Sequence, residues 1–120
     1  MPSKYKNKRV YDATYGVFDS AGEYKRFLHL KDLERRGEIQ KLERQVVYEL
    51  IPKCTLPRPY KEHGRMKNCE KKVEYIADFT YFKNGEFIVE DFKGQPTDTY
   101  ILKRKLMLYR YGIQISEVRK

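Results

Sequence analysis

The chain has 120 residues, 26 Lys+Arg against 17 Asp+Glu, a formal net charge of +9 and a pI of about 9.5. That length predicts one domain with a single core, and a 40% hydrophobic content beside 36% charged residues excludes both a disordered and a membrane-embedded chain. No apolar run approaches a bilayer span, the basic start MPSKYKNKRV carries no apolar stretch of a secretory signal, and Cys54 and Cys69 make no disulfide framework, so a reducing cytoplasm is expected.

Residues 1–17 are basic and Tyr-rich and are expected to form an N-terminal arm or an irregular lead-in, ahead of a domain over 18–120. Residues 18–36 read as a helix. Ser20 and Glu23 have capping-box spacing, Phe18 and Tyr24 can staple the start, and Phe27, Leu28, Leu30 and Leu33 form a stripe ended at Gly37. Residues 38–51, rich in Ile, Val, Leu and Tyr, read as a strand stopped by Pro52. Residues 52–72, with three prolines, Gly64 and a basic run, read as an excursion loop. Cys54, His63 and Cys69 lie in it, but without the close ligand pairs of a zinc site.

Residues 73–93 carry the strongest signal, a strand, a turn at Asn84-Gly85 and a second strand. Residues 97–111 read as a helix capped by Thr97 or Asp98 and stopped by Gly112. Ile113, Ile115 and Val118 alternate as a last strand. The order α-β-β-β-α-β predicts an α/β domain with a mixed sheet flanked by helices.

Asp78 and Asp91 are equidistant from the Asn84-Gly85 turn, so a two-residue hairpin sets them face to face. Facing side chains have Cβ atoms ~4.5–5.5 Å apart. At that distance two carboxylates repel by on the order of 3 kcal/mol at an effective dielectric of ~20. Protonation, the ammonium of Lys93 on the same face, or a bridging Mg²⁺ or Mn²⁺ would relieve this. Glu90 points to the other face. Glu23 shares the helix stripe of Phe27 and Leu30 and is aimed at the sheet as a third acid, with the capping box as its structural alternative. Gln45 is a polar strand residue whose simplest role is a hydrogen bond.

The residues Asp78 and Asp91-Phe92-Lys93 within this element order resemble the PD-(D/E)XK nuclease superfamily over residues 18–118. FDSAGE, GEIQKLERQ, YIADFTY and VEDFKGQPTDTY resemble a small phage-encoded group of uncharacterised proteins assigned to it. The resemblance implies a restriction-endonuclease-like core and an Mg²⁺-dependent DNA endonuclease, with no organic cofactor. Asp78, Asp91 and Glu23 match the metal ligands, and Lys93 matches the lysine that orients or activates water. Residue 77 is Ala rather than the Pro of the pattern, a Pro that is often absent. Gln95 and Tyr100 resemble a Gln…Tyr pair of exonuclease-like branches, one residue too far apart to assign that activity.

The net charge points to a polyanion, and DNA is the expected partner. Its contacts are expected from Lys103, Arg104, Lys105 and Arg110 on the last helix, from Lys8 and Arg9 with Lys4 and Lys6 in the arm, and from Lys71 and Lys72 with Arg65 and Lys67. Branched or junction DNA in phage recombination or replication is the natural target class, and symmetric cutting of two strands fits a homodimer. The competing readings are a non-catalytic nucleic-acid-binding module and a host-interaction protein on the same fold.

Overall fold

The computed structural model describes residues 8–93 and 95–119. Their elements are β1 (Val10–Asp12), β2 (Gly16–Phe18), α1 (Ala21–Arg35), β3 (Gln40–Ile51), β4 (Cys54–Glu62), β5 (Arg65–Glu70), β6 (Val73–Lys83), β7 (Glu86–Lys93), α2 (Asp98–Tyr111) and β8 (Ser116–Arg119). The fold is α/β. A mixed four-stranded sheet runs in the order β3-β6-β7-β8. Its first three strands are antiparallel, and β8 returns parallel to β7 through α2. None of the described helices is long and apolar enough to cross a membrane.

The two helices cover opposite faces. On α1, Phe27 and Leu30 pack with Phe18, Ile39, Phe79 and Tyr81, and Ile88 joins them. On α2, Tyr100 and Met107 pack with Leu50, Tyr75, Ala77 and Ile115, and Val89 belongs to this second cluster. Ile88 and Val89 are neighbours on one strand, so the clusters lie on opposite sides of the sheet. Each fully buried side chain of this size contributes roughly 1.5–3 kcal/mol of transfer free energy.

The helix signals form as expected. Ser20 caps α1 by accepting the Glu23 N–H at 3.1 Å, and the rings of Phe18 and Tyr24 meet at 4.9 Å. Thr97 accepts the Tyr100 N–H at 3.1 Å at the start of α2. Gly22 permits a close approach, because a Cβ there would stand 2.9 Å from the ring of Phe92.

Two expectations need correction. Over its described residues the arm is not irregular. Residues 1–7, with Lys4 and Lys6, lie outside the described residues, but β1 and β2 pair as a short hairpin from Val10↔Phe18 to Asp12↔Gly16. Asp12 makes the turn by accepting the N–H groups of Thr14 and Tyr15 at 2.7 and 2.9 Å, and it anchors the turn to α1 through the Tyr24 hydroxyl at 2.6 Å. The excursion over 52–72 is not a loop either. β4 and β5 form an antiparallel ribbon. His63 (φ 53°) and Gly64 (φ 78°) both take left-handed backbone, the two-residue turn whose twist matches paired strands. Pro57 and Pro59 fall where the register shifts between Thr55 and Tyr60, so their missing N–H groups interrupt rather than forbid the pairing.

The sheet also inverts its phase. On β6, Phe79 and Tyr81 face α1, whereas Tyr75 and Ala77, of the same parity, face α2. On β3, Leu42 packs with the α1 cluster and Val46, Tyr48 and Leu50 with the α2 cluster. The two strands change sides together. The ladder skips the position between Arg44↔Phe79 and Val46↔Ala77, where Gln45 has φ 57° opposite Asp78. A left-handed residue inside a strand reverses which side its successors face.

Candidate active site

The turn at Asn84 (φ 52°) and Gly85 (φ 78°) is the expected type, and pairing runs from Lys83↔Glu86 to Phe79↔Glu90 in the expected register. The ladder stops one pair short of Asp78 and Asp91. There the Asp78 carboxylate replaces a ladder partner, with Oδ2 accepting the Phe92 N–H at 2.8 Å. The direct opposition expected from the turn is thus modified by the inversion at Asp78.

Asp91 is 2% exposed. Its Oδ2 accepts the Tyr75 hydroxyl at 2.6 Å. Its Oδ1 lies 3.2 Å from Lys93 Nζ, close enough for charge attraction, yet it receives no well-aligned hydrogen bond. A buried carboxylate oxygen met only by an ammonium keeps lone pairs that a hard cation could take up. Lys93 also sits over the Tyr100 ring, 4.3 Å from its centre.

The neighbouring acids feel the same strain. The Asp78 carboxyl is pushed up to about 7, by burial first and then by the charges of Asp91 and Glu23, against the pull of the Phe92 N–H and Lys93. Glu23 is 4% exposed and also raised, by burial first, then by Asp19, with Asp91 adding to it and Arg44 and Lys93 opposing. Its carboxylate is within 3.4 Å of Gln45 Nε2. Glu23, Gln45, Asp78, Asp91 and Lys93 therefore share one electrostatic neighbourhood. Among the described residues no three His, Cys, Asp or Glu side chains converge as a ready-made metal group. The expected trio of ligands, Asp78, Asp91 and Glu23, is therefore not assembled as one group among the described residues. Two carboxylates are hard oxygen donors of the kind that suits Mg²⁺ or Mn²⁺.

Glu90 lies on the other face as expected. It is fully buried, held by Arg26 Nε and Nη2 at 2.7 and 2.8 Å and by the Tyr81 hydroxyl at 2.7 Å. This bidentate pair locks α1 onto β7 and so fixes where Glu23 starts.

An open cleft of about 530 Å³ runs beside Lys93, lined among others by Tyr75, Thr97, Tyr100 and Lys103. Lys103 is thus on the site's side of α2. Arg104 is not a free cation, because Glu117 on β8 holds it at 2.8 Å and also accepts the Tyr100 hydroxyl at 2.7 Å. Arg110 lies 3.9 Å from Glu49, and Lys72 is paired with Glu74 at 2.9 Å. Lys8, Arg9, Lys71, Gln95 and Lys105 are exposed. Cys69 pairs next to Cys54's position on the ribbon but on its opposite face, and His63 is at the far tip, so these three do not form a site.

Sequence reasoning missed Tyr75 and Glu117. Tyr75 is of the wrong parity to meet Asp91 in a regular strand, and the change of sides along β6 between Ala77 and Phe79 brings it there. Glu117 becomes visible once β8 is set parallel to β7 with Asp91↔Glu117 in register.

Residues 2–119 match the family model described as a protein of unknown function (DUF1064), and the chain belongs to that family. No curated protein and no solved structure matches the chain.

Proposed function

We propose that this protein is a divalent-metal-dependent nuclease acting on DNA, with the restriction-endonuclease-like core of the PD-(D/E)XK type. The observation that carries the reading is the buried Oδ1 of Asp91, which has no aligned hydrogen bond and is met only by the Lys93 ammonium 3.2 Å away, beside a second carboxyl that resists ionising. Asp78 and Asp91 would hold Mg²⁺ or Mn²⁺, which supplies a polarised phosphoryl oxygen and a more acidic water.

The chain's own groups do the rest. Tyr75 fixes the Asp91 carboxylate through its hydroxyl, and the Phe92 N–H fixes that of Asp78. Lys93 offsets charge that grows on the phosphate or holds the attacking water in line. Lys103, across the cleft, is placed to meet a neighbouring phosphate. A homodimer cutting branched or junction DNA in two strands is the form of the activity that fits these parts.

The test is cleavage of labelled linear, nicked, flapped and four-way DNA with Mg²⁺ or Mn²⁺. Asp78→Asn and Asp91→Asn should each abolish cleavage while DNA binding survives. Wild-type cleavage by both variants ends the proposal, and binding with no cleavage by the wild type on any substrate leaves a nucleic-acid-binding module instead.

A further inference from the structure

The ribbon β4–β5 stands away from the domain. Its substantial packing is of one strand against the other, and none of residues 52–72 is buried. This segment carries seven Lys/Arg and two Asp/Glu, a net +5 of the chain's +9. Both acids are turned onto one lysine. Lys67 Nζ lies 2.8 Å from Glu62 and 2.8 Å from Glu70, with the Tyr60 hydroxyl 3.2 Å from each carboxylate. Lys53, Arg58, Lys61, Arg65 and Lys71 are exposed and have no ion-pair partner among the described residues.

We infer that this ribbon is a DNA-gripping arm that enters the major groove of a B-form duplex next to the segment being cut. The inference rests on the nuclease reading for its partner and adds how the duplex is held. A two-stranded ribbon fits the B-form major groove, about 12 Å wide, whereas the deep, narrow A-form groove of duplex RNA does not admit it. Nine residues of β4 reach about 30 Å at ~3.3 Å per residue, nearly one helical turn. The charge also argues against a second copy of the arm as its occupant, since two ribbons at +5 repel each other. Phosphates flanking the groove satisfy the five unpaired cations, while Met66 and Lys61 share the face opposite the Glu62–Lys67–Glu70 cluster.

The experiment is equilibrium binding of the full chain to a labelled DNA duplex of about three helical turns, to the RNA duplex of matching sequence and to the single strand. It is done in EDTA across a salt series, so cleavage does not intervene. The comparison variant replaces Lys53, Arg58, Lys61 and Arg65 together by Gln, with circular dichroism and sedimentation as checks on fold and assembly. The expected result is duplex-DNA affinity weakened roughly 10- to 100-fold, with the salt slope shallower by about 0.9 for each phosphate no longer neutralised. RNA-duplex binding should start weaker and change less. Unchanged duplex-DNA affinity overturns the inference. So does equal weakening on all three ligands, or a variant that changes only the monomer–dimer balance. Weakened binding in a protein that never cleaves defeats the nuclease reading and leaves the arm, while cleavage with unchanged binding by the variant does the reverse.

Discussion

Asp78 is where chemistry and stability meet. Its carboxyl is raised to about 7 in the folded protein from an ordinary 3.8. The folded state therefore holds this proton more tightly than the unfolded chain. The stability it contributes is fully present below pH ~4 and is lost as the pH rises through about 7. Glu23 is shifted in the same direction and adds to the slope. Without divalent metal, wild-type protein should lose on the order of 1–3 kcal/mol between pH 4 and pH 8 through these groups. Asp78→Asn keeps an oxygen for the Phe92 N–H but removes the titration. Its Tm in EDTA at pH 8 should exceed that of wild type and the two should converge toward pH 4; a lower Tm at pH 8 would show that the ionised carboxylate is structurally required. Addition of Mg²⁺ at pH 8 should raise the wild-type Tm and leave that of Asp78→Asn unmoved. At this scale the nearness of Asp78, Asp91 and Lys93 was legible in the sequence, because a two-residue turn fixes the register up to Phe79↔Glu90, although the ladder stops before the two acids pair. Tyr75 was not legible, because no local pattern announces that β6 changes sides at Asp78.

The elements owe their positions to a few close contacts. Gly22 is the sharpest of these. In a free helix, Gly→Ala near the first turn would stabilise by up to about 1 kcal/mol. Here the added methyl meets the Phe92 ring at 2.9 Å. Gly22→Ala should therefore lower Tm, with a cost of about 1–3 kcal/mol from displacing Phe92 or α1. It should also reduce cleavage, since both Glu23 and Lys93 are next to the displaced groups. A rise in Tm would mean that Phe92 swings aside without cost. Helix caps and the Asn84-Gly85 turn were readable because each uses local chemistry at fixed spacing. The ribbon was not, because three prolines and high charge outweighed His63-Gly64, a turn pair without the familiar Asn or Asp. The hairpin β1–β2 was hidden for a related reason: it is three residues deep and depends on Asp12 bonding to its own turn.

The molecule as a whole is more extended than its length requires. A compact chain of 120 residues has a radius of gyration of about 14 Å, whereas this one measures 17.6 Å. The projecting ribbon accounts for the direction of this difference, since its strands pack mainly on each other. Two-stranded ribbons in water are marginal on their own. Amides of residues 54–70 should therefore exchange with solvent far faster than those of Ala77, Phe79 and Val89 in the sheet, and duplex DNA should slow them selectively. Ribbon protection equal to that of the sheet would show that it is braced by contacts beyond its own ladder.

The phase inversion gives the domain two half-cores, one under each helix, joined along β3 and β6 at Gln45 and Asp78. Neither half is large enough to stand by itself. That junction is thus a seam, and it is occupied by charges rather than by oil. An ion drawn between Asp78 and Asp91 would work there as a clasp, tightening both halves at the one place from which the fold would otherwise come apart.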